Sequence, residues 1–220
     1  LDLVFVYDTS AFDETERDAA QALFTRAVRA LIELISGAGE LGPLYALDLR
    51  LRPHGRKGQV AVSVEELERY LATEAQFWER LALTRARTVS GGGALKARVG
   101  AALEKFCYTA TGDEGPQTRD MRLRVEKSAA AHDLKRAMGG LHDVEFLVEF
   151  LQLKHGAARP ALRQSGMFEA LESALREGLI DLVTHDALLD AYVFIRQLQN
   201  RMQMMDGQSR DSLPQGEELE

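Results

Sequence analysis

Two aspartates, Asp2 and Asp48, each lie inside a short apolar run with the pattern of a β-strand. Side chains two positions apart share a face of a strand, so Asp48 is predicted to share a face with Arg50 and Arg52. The apolar residues of the two runs are predicted to fall on buried faces: Leu1, Leu3, Phe5 and Tyr7, and Tyr45, Leu47, Leu49 and Leu51. Each carboxylate is either a ligand for a bound group or a hydrogen-bonded residue at a strand edge.

The two arginines have two interpretations. A guanidinium group can hold phosphate oxygens through paired hydrogen bonds, as a nucleotide site requires. The same side chains can instead form ion pairs with Asp48 or with an acid on a helix. Residues 54–58, HGRKG, have the composition of an exposed turn between two strands.

Helix signals surround the two runs. Asp13 with Glu16, and Ser63 with Glu66, have the spacing of a capping box, in which the first side chain bonds an amide of the opening turn. The first box predicts a helix that ends at the glycine cluster 36–42. The second predicts a helix that continues to about residue 87, with Trp78 in its core-facing stripe. A short strand at 59–63 is expected to pair with 44–52 as a hairpin.

From residue 94 onwards the strand signals disappear. Apolar residues at helical spacing predict five helices over 94–108, 117–133, 141–155, 166–177 and 184–205. The first part of the chain is therefore predicted to be mixed α and β and the second part all α. The boundary is expected between residues 90 and 115, and the polar tail, 206–220, is expected to be poorly ordered unless further sequence follows it.

A polar, glycine-rich cluster precedes the third of these helices. Gly139 and Gly140 suit a tight turn that leaves amides free to bind an anion at the helix N-terminus, near Lys135. Asp143 and Glu145 follow in the opening turns, where the helix dipole stabilises a negative charge. Capping and packing explain the same residues equally well.

Composition restricts the class of protein. With 45% hydrophobic and 28% charged residues, the chain has the composition of a soluble globular protein. Its net charge of -7 argues against a nucleic-acid partner. No run is long enough for a membrane helix and no leader is visible, so no membrane partner and a cytoplasmic location are expected. The lone Cys107 excludes an internal disulfide, and the strand-like run at Leu1 suggests that upstream sequence is missing.

Four blocks of sequence, in order, carry a family resemblance: LDLVFVYD, LYALDLRLRPHGRKG, EAQFWERLALTRARTVSG and DLKRAMGGLHDVEFLVEFLQL. Together they resemble the glutamine synthetase adenylyltransferase/adenylyl-removing enzymes, which are nucleotidyltransferases of the DNA polymerase β-like class. The resemblance implies an α+β protein. A nucleotidyltransferase domain with a small mixed sheet and helices is expected over residues 1–100, followed by an all-α helical bundle domain over 101–220.

The resemblance also assigns roles to individual residues. Family members carry an S-D-x-D motif after a glycine-rich turn, and a third aspartate on a later strand. Asp2 resembles the second acid and Asp48 the third, which implies that both are catalytic Mg²⁺ ligands; the turn and the first acid are expected before residue 1. The residues implied to bind the nucleotide, ATP, are Arg50, Arg52, Arg85, Arg87, Lys135, Gly139 and Gly140. For the arginines at 85 and 87, a structural role is an equal alternative.

The function implied by the resemblance is transfer of AMP from ATP to a tyrosine hydroxyl of glutamine synthetase by a two-metal mechanism. Family members have two similar halves, and the ALTRAR block together with Asp143 resembles the C-terminal, AMP-adding half. The alternatives are the phosphorolytic half that removes AMP, and a non-catalytic fragment that docks glutamine synthetase or a PII-type signalling protein. The implied partners are therefore glutamine synthetase and a PII-type protein.

Overall fold

The computed structural model describes residues 1–37, 45–206 and 211–213. The chain forms two compact units. The first comprises Leu1–Glu79 and Arg87–Phe106, and the second comprises Arg80–Ala86 and Cys107–Glu220.

The first unit contains a two-stranded parallel sheet. Strand β1 (Phe5–Tyr7) pairs with β2 (Ala61–Ser63) in the register Phe5 to Ala61 and Tyr7 to Ser63. The predicted hairpin between 44–52 and 59–63 is wrong, because β2 pairs with β1 instead. Within the described part of the predicted strand, residues 45–52, only Asp48 forms a β-bridge, and the chain turns from residue 50 onwards.

Helix α1 (Arg17–Ser36) packs on β2 and covers one face of the sheet. The core of this unit contains Tyr7, Val28 and Ala61, with Phe5, Phe24, Ile32 and Val60 packed against them. The rings of Tyr7 and Phe24 stack with their centroids 4.4 Å apart. The alternation in the first run is therefore confirmed at Tyr7, whereas Leu1 and Tyr45, both predicted to be buried, are exposed.

Both predicted capping boxes form, but only the second lies at a helix start; the first precedes α1, which begins at Arg17 instead of directly after Asp13. The Asp13 carboxylate accepts hydrogen bonds from the amides of Thr15 and Glu16, and the Glu16 carboxylate accepts one from the Asp13 amide at 3.1 Å. The Ser63 hydroxyl accepts a hydrogen bond from the Glu66 amide at 3.2 Å and caps α2 (Val64–Thr73).

The helix predicted from residue 63 to residue 87 is two helices. Helix α2 ends at Thr73, and α3 (Phe77–Leu83) begins after a short break. The buried Glu79 carboxylate accepts a hydrogen bond from the Gln76 amide at 2.8 Å, which caps the start of α3. Trp78 is 41% exposed, so its predicted place in the core is wrong. Helix α4 (Gly93–Tyr108) follows and ends close to its predicted limit.

The remaining helices are α5 (Glu114–Lys127), α6 (Leu141–His155), α7 (Met167–Arg176) and α8 (Leu182–Asp206). Helix α6 packs against the other three. Its apolar face, with Leu141, Val144 and Val148, joins Leu171 of α7 and Ile195 of α8 in a buried cluster. The predicted limits of α6 are confirmed, whereas α5 ends six residues before its predicted end.

Part of the polar tail is paired. Ser212 forms an antiparallel bridge with Asp133, in which the Leu134 amide donates to the Asp211 carbonyl at 2.7 Å and the Leu213 amide donates to the His132 carbonyl at 3.1 Å. The other residues of the tail beyond the end of α8 lie outside the described residues.

In the described ranges the chain is mostly helical with one small parallel sheet, which agrees with the predicted α+β class. Among the helices in these ranges, none has the length and apolar character needed to cross a membrane.

Candidate functional site

Asp2 and Asp48 are direct partners in a parallel β-bridge. The Leu3 amide donates to the Asp48 carbonyl at 2.9 Å, and the Asp48 amide donates to the Leu1 carbonyl at 2.7 Å. Directly paired residues of neighbouring strands project from the same face of a sheet. The two runs predicted to be partners are therefore paired, and the bridge brings their carboxylates to one face.

The side chain of Arg50 forms an ion pair with Asp48. Its Nε donates to Oδ2 of Asp48 at 2.7 Å and to Oδ1 at 3.0 Å, and the Arg50 backbone amide donates to the same Oδ1 at 2.9 Å. These bonds from Arg50 hold the pKa of Asp48 below its usual value, so the carboxylate is ionised at neutral pH. The pKa of Arg50 is raised, mainly by Asp48 and also by the charge of Asp2.

Arg52 is hydrogen-bonded to the backbone of the following turn and not to Asp48. Its buried guanidinium donates to the backbone carbonyls of Leu49 at 2.8 Å, Gly58 at 3.2 Å and Arg56 at 3.3 Å, and thereby closes the turn that follows Asp48. The predicted alternation fails here because the Asp48 side chain bonds the amide two residues later and starts a turn. All these bonds go to the backbone, and a role of Arg52 in nucleotide binding stays a prediction.

His54 anchors the same turn. It has a positive φ of 61°, and its ring lies between two acids, with Nε2 3.2 Å from Glu66 and Nδ1 3.6 Å from Glu74. The ring also meets the Tyr70 ring edge-on, with centroids 5.1 Å apart. The turn predicted at 54–58 is confirmed, but its attachment to α2 was not predicted, since nothing in the local sequence pairs His54 with acids 12 and 20 positions away.

The glycine turn before α6 has no free amide at the predicted positions. The Gly139 amide donates to the Asp143 carboxylate at 2.6 Å, and the Gly140 amide donates to the Ala137 carbonyl at 2.9 Å. A side chain at Gly140 would place its Cβ within 2.9 Å of three carbonyl oxygens, including that of Lys135. The expected close backbone approach is confirmed, and the expectation of free amides is wrong for these two.

The other residues of this cluster also have internal partners. The Lys135 amide donates to the buried Asp133 carboxylate at 2.9 Å. Asp143 forms an ion pair with Arg122. Although burial opposes it, this pairing lowers the pKa of Asp143. Ligand roles for Lys135, Gly139 and Gly140 stay predictions.

A second charged cluster lies in the other unit, around Glu145 of α6. One oxygen of this buried carboxylate lies 2.9 Å from Nη1 of Arg85 and 3.5 Å from Nη2 of Arg196 on α8. The other oxygen lies 3.7 Å from Nε2 of His142. The structural alternative for Arg85 is therefore observed, whereas Arg87 is exposed and its nucleotide role stays a prediction.

The sequence analysis missed Glu149, one helical turn after Glu145. Burial, reinforced by the charge of Glu145, raises the pKa of Glu149 to about 8. Burial also lowers the pKa of His142. An acid inside the apolar run LVEFLQL was the available signal, because an unpaired charge is rarely buried in such a run.

Within the described ranges, no set of three or more His, Cys, Asp or Glu side chains is arranged to hold a metal ion. The bridged pair Asp2 and Asp48 offers two carboxylate ligands. Mg²⁺ is commonly held by one or two carboxylates together with water and substrate phosphates, so this pair fits such an ion.

Comparison with known proteins gives two matches to family models. Residues 1–102 match the family described as glutamate-ammonia ligase adenylyltransferase. Residues 114–220 match the family described as GlnD PII-uridylyltransferase.

Individual relatives match nearly the whole chain. A bifunctional glutamine synthetase adenylyltransferase/adenylyl-removing enzyme of Xanthomonas campestris pv. campestris (strain B100) is 35% identical over 99% of this chain and 24% of its own length. Proteins of the same description from Stenotrophomonas maltophilia (strain K279a) and Chromobacterium violaceum are 34% and 35% identical over 97% and 94% of the chain. The chain spans about a quarter of the length of these curated relatives.

Proposed function

We infer that this chain, which belongs to the glutamine synthetase adenylyltransferase/adenylyl-removing enzyme family, contributes to AMP transfer between ATP and a tyrosine of glutamine synthetase. The observation that carries the proposal is the direct pairing of Asp2 with Asp48 in a parallel β-bridge. Two carboxylates on adjacent parallel segments are the arrangement that a DNA polymerase β-like site requires. We therefore assign that fold to the first unit as part of the proposal.

In this proposal Asp2 and Asp48 hold Mg²⁺, with Asp48 nearer the attacking hydroxyl, in a reaction of the two-metal type. When bound, the ions would neutralise the negative charge that builds on the attacking and leaving oxygens. Asp48 suits the role of ligand better than that of proton acceptor, because its pKa is lowered and its carboxylate is ionised.

Arg50 has a switching role in the same proposal. Its side chain is 64% exposed, and its hydrogen bonds and ion pair among the described residues are to Asp48. Asp48 would hold the ion with the carboxylate that now pairs with Arg50, and the Arg50 guanidinium would then be available for the phosphates of ATP. The ion pair therefore preserves the carboxylate in its charged form before the substrates bind.

The second unit suggests a regulatory partner. Its match to the family described as GlnD PII-uridylyltransferase supports the proposal that a PII-type protein controls the reaction. Glutamine synthetase is the proposed protein substrate, as the description of the relatives implies.

The proposal is tested by incubating the full-length protein that contains this chain with glutamine synthetase, Mg²⁺ and ATP labelled at the α-phosphate. Label should appear on a tyrosine of the synthetase. Asp48→Asn and Asp2→Asn should each reduce the rate by about 100-fold or more, since a lost metal ligand removes stabilisation of the transition state. Asp120→Asn, an exposed site on α5, is the matched control and should leave the rate unchanged.

Two results would contradict the assignment. If Asp48→Asn and Asp120→Asn match the parent protein both in labelling the synthetase and in releasing ADP from adenylylated synthetase in phosphate buffer, the bridged pair is not a catalytic site. If Asp48→Asn labels the synthetase at the parent rate but no longer releases ADP, the chain belongs to the AMP-removing half.

A further inference from the structure

His54 lies at the tip of the turn that follows Asp48. Its backbone is left-handed, with a φ of 61°, a conformation that residues other than glycine seldom adopt. Gly55 follows in the same conformation, with a φ of 57°. Because strained backbone of this kind persists only where the surrounding structure holds it, the contacts of the His54 side chain matter for the whole turn.

Both nitrogens of the His54 ring face a carboxylate. Nε2 lies 3.2 Å from Glu66 and Nδ1 lies 3.6 Å from Glu74, and the ring contacts the Tyr70 ring edge-on. Glu66 and Tyr70 belong to α2, and Glu74 is the residue that ends it. Hydrogen bonds from Arg69 and, to a smaller extent, from His54 lower the pKa of Glu66, although burial raises it. The ring is therefore held by three side chains at one helix.

Helix α2 is itself fixed to the sheet that leads to Asp2. It begins directly after β2, the Ser63 hydroxyl caps its first turn, and Val64 is buried. Strand β2 pairs with β1, and the residues before β1 carry Asp2. The contacts of His54 therefore complete a second connection between the two acids, from Asp48 through the turn, α2, β2 and β1 to Asp2, in addition to their direct bridge.

The turn is closed internally, so it can transmit a displacement of its tip. The Arg52 guanidinium donates to the carbonyls of Leu49 at 2.8 Å and Gly58 at 3.2 Å. The Gly55 amide donates to the Arg52 carbonyl at 2.8 Å. A segment bonded in this way moves as one piece, and Asp48 lies at its start.

We propose that His54 is a positioning residue for the metal site, and that its attachment to α2 sets the separation of Asp2 and Asp48. This inference rests on the proposed function, in which the two acids hold Mg²⁺. An ion with few protein ligands depends on the placement of each one. Groups that orient metal ligands typically change metal affinity by about 10- to 100-fold when they are removed. His54 acts through the turn and contacts no substrate in this role.

The test compares two histidines that share a backbone conformation. His54→Asn keeps a residue that tolerates the left-handed conformation and removes the ring that reaches both acids. His132→Asn is the matched control, because His132 also has a positive φ, of 57°, and is exposed in the second unit. Both variants are made in the full-length protein that contains this chain.

The first measurement is binding of Mn²⁺, which shares the oxygen ligands of Mg²⁺ and is followed by electron paramagnetic resonance. The part of the binding that Asp48→Asn removes belongs to the bridged pair. His54→Asn should weaken that part by about tenfold, and His132→Asn should leave it unchanged. Since no substrate is added, the result does not depend on whether the chain attaches or removes AMP.

The second measurement is the dependence of the reaction on Mg²⁺, followed both as labelling of glutamine synthetase and as release of ADP from adenylylated synthetase. In His54→Asn the Mg²⁺ concentration that gives half the maximal rate should rise by about tenfold. A variant that only loses folded protein loses rate equally at every Mg²⁺ concentration. The half-saturating concentration therefore separates positioning from stability.

Glu74→Gln provides a second variant if His54→Asn does not fold by circular dichroism. The Glu74 side chain is 40% exposed, and its loss removes one partner of the ring while Arg69 keeps Glu66 as a partner at 2.6 Å. Glu74→Gln should raise the half-saturating Mg²⁺ concentration by about threefold, the size expected for loss of a partly exposed ion pair.

The outcomes distinguish this inference from the proposed function. If Asp48→Asn changes neither Mn²⁺ binding nor the reaction, the proposed metal site is wrong, and the role of His54 is overturned with it. If Asp48→Asn lowers both while His54→Asn matches His132→Asn in both, the metal site stands and the role of His54 alone is overturned. The same conclusion follows if His54→Asn slows the reaction equally at every Mg²⁺ concentration.

Discussion

The Tyr70 hydroxyl donates to the buried carboxylate of Glu79, at 2.9 Å from one oxygen and 3.1 Å from the other. Burial, together with this hydrogen bond and the charge of Glu79, raises the pKa of Tyr70 to about 12. Glu79 in turn caps the start of α3 through the Gln76 amide. The pair therefore joins α2 to α3 at the point where the sequence predicts one continuous helix.

Tyr70→Phe should lower the free energy of unfolding by about 1 to 3 kcal/mol, because the buried Glu79 carboxylate loses its hydroxyl donor. Tyr45→Phe is the matched control. Tyr45 is 58% exposed, and removing its hydroxyl should change stability by no more than about 0.5 kcal/mol. Urea unfolding of both variants measures the difference, and equal midpoints would show that the Tyr70 hydroxyl does not stabilise the fold.

Arg80 and Glu114 form a second buried connection, an ion pair of 3.5 Å with side chains 6% and 5% exposed. Arg80 also donates to the Cys107 carbonyl at 3.0 Å and to the Thr111 hydroxyl at 3.2 Å. Although burial alone raises the pKa of Glu114, hydrogen bonds from the Thr111 backbone lower it overall. The carboxylate is therefore charged in the folded protein, with the amides of Thr111 and Gly112 as hydrogen-bond donors and Arg80 as its counterion.

Arg80→Met should lower the free energy of unfolding by about 3 to 5 kcal/mol, since it leaves a buried carboxylate without its counterion. Arg176→Met, at an exposed position, should cost no more than about 0.5 kcal/mol. Thermal unfolding compares the two variants. A loss in Arg80→Met as small as that in Arg176→Met would show that water or other groups replace the ion pair.

Local sequence signals predicted the capping boxes, but not the pairing of the strands. The boxes at Asp13 and Ser63 depend on residues three positions apart, so they are visible in the sequence. The pairing of β1 with β2 joins residues 56 positions apart, as with Phe5 and Ala61, and no local pattern specifies it. Hydrophobic alternation favoured a hairpin because the two runs near residue 50 and residue 60 are adjacent in the chain.

The candidate site shows the same limit. Asp2 and Asp48 were predicted to belong together and are bridged. The prediction that Arg52 shares their face failed, because it assumed a continuous strand, whereas the Asp48 carboxylate bonds the Arg50 amide and turns the chain. Hydrogen bonds from a side chain to the nearby backbone compete with strand formation. A prediction based on period-two alternation of hydrophobic residues does not take that competition into account.

Glu149 should make the stability of the protein depend on pH. Its pKa is 4.5 in the unfolded reference and about 8 in the folded protein, so between these pH values folding is coupled to uptake of a proton. The contribution of Glu149 to the free energy of unfolding is fully favourable below pH 4.5 and is lost progressively as the pH rises towards 8. At pH 7 the free energy of unfolding is therefore lower than it would be with a side chain that does not titrate.

Glu149→Gln should therefore raise the free energy of unfolding at neutral pH by roughly 1 to 3 kcal/mol and flatten its decline with rising pH. Glu14→Gln, at an exposed position, should keep the decline of the parent protein. Urea unfolding at a series of pH values provides the measurement. A parallel decline in the parent and Glu149→Gln would mean that Glu149 is ionised when folded.

Gly58 closes the turn that follows Asp48, and its lack of a side chain is required there. A Cβ at this position would overlap the Pro53 carbonyl oxygen, and the Gly58 carbonyl accepts a hydrogen bond from Arg52 at 3.2 Å. Gly58→Ala should therefore shift the turn and lower the free energy of unfolding by about 1 to 3 kcal/mol. If the proposed function is correct, the same variant should also slow labelling of glutamine synthetase, because the displaced turn moves Asp48.

Gly100→Ala is the matched control for this substitution. Gly100 lies within α4 with no atom within 4 Å of an added Cβ, so alanine should stabilise the helix by about 0.5 to 1 kcal/mol and leave labelling unchanged. Urea unfolding and the labelling assay, run on both variants, separate the two effects. If Gly58→Ala is as stable and as active as Gly100→Ala, the close contact with Pro53 does not position the turn that carries Asp48.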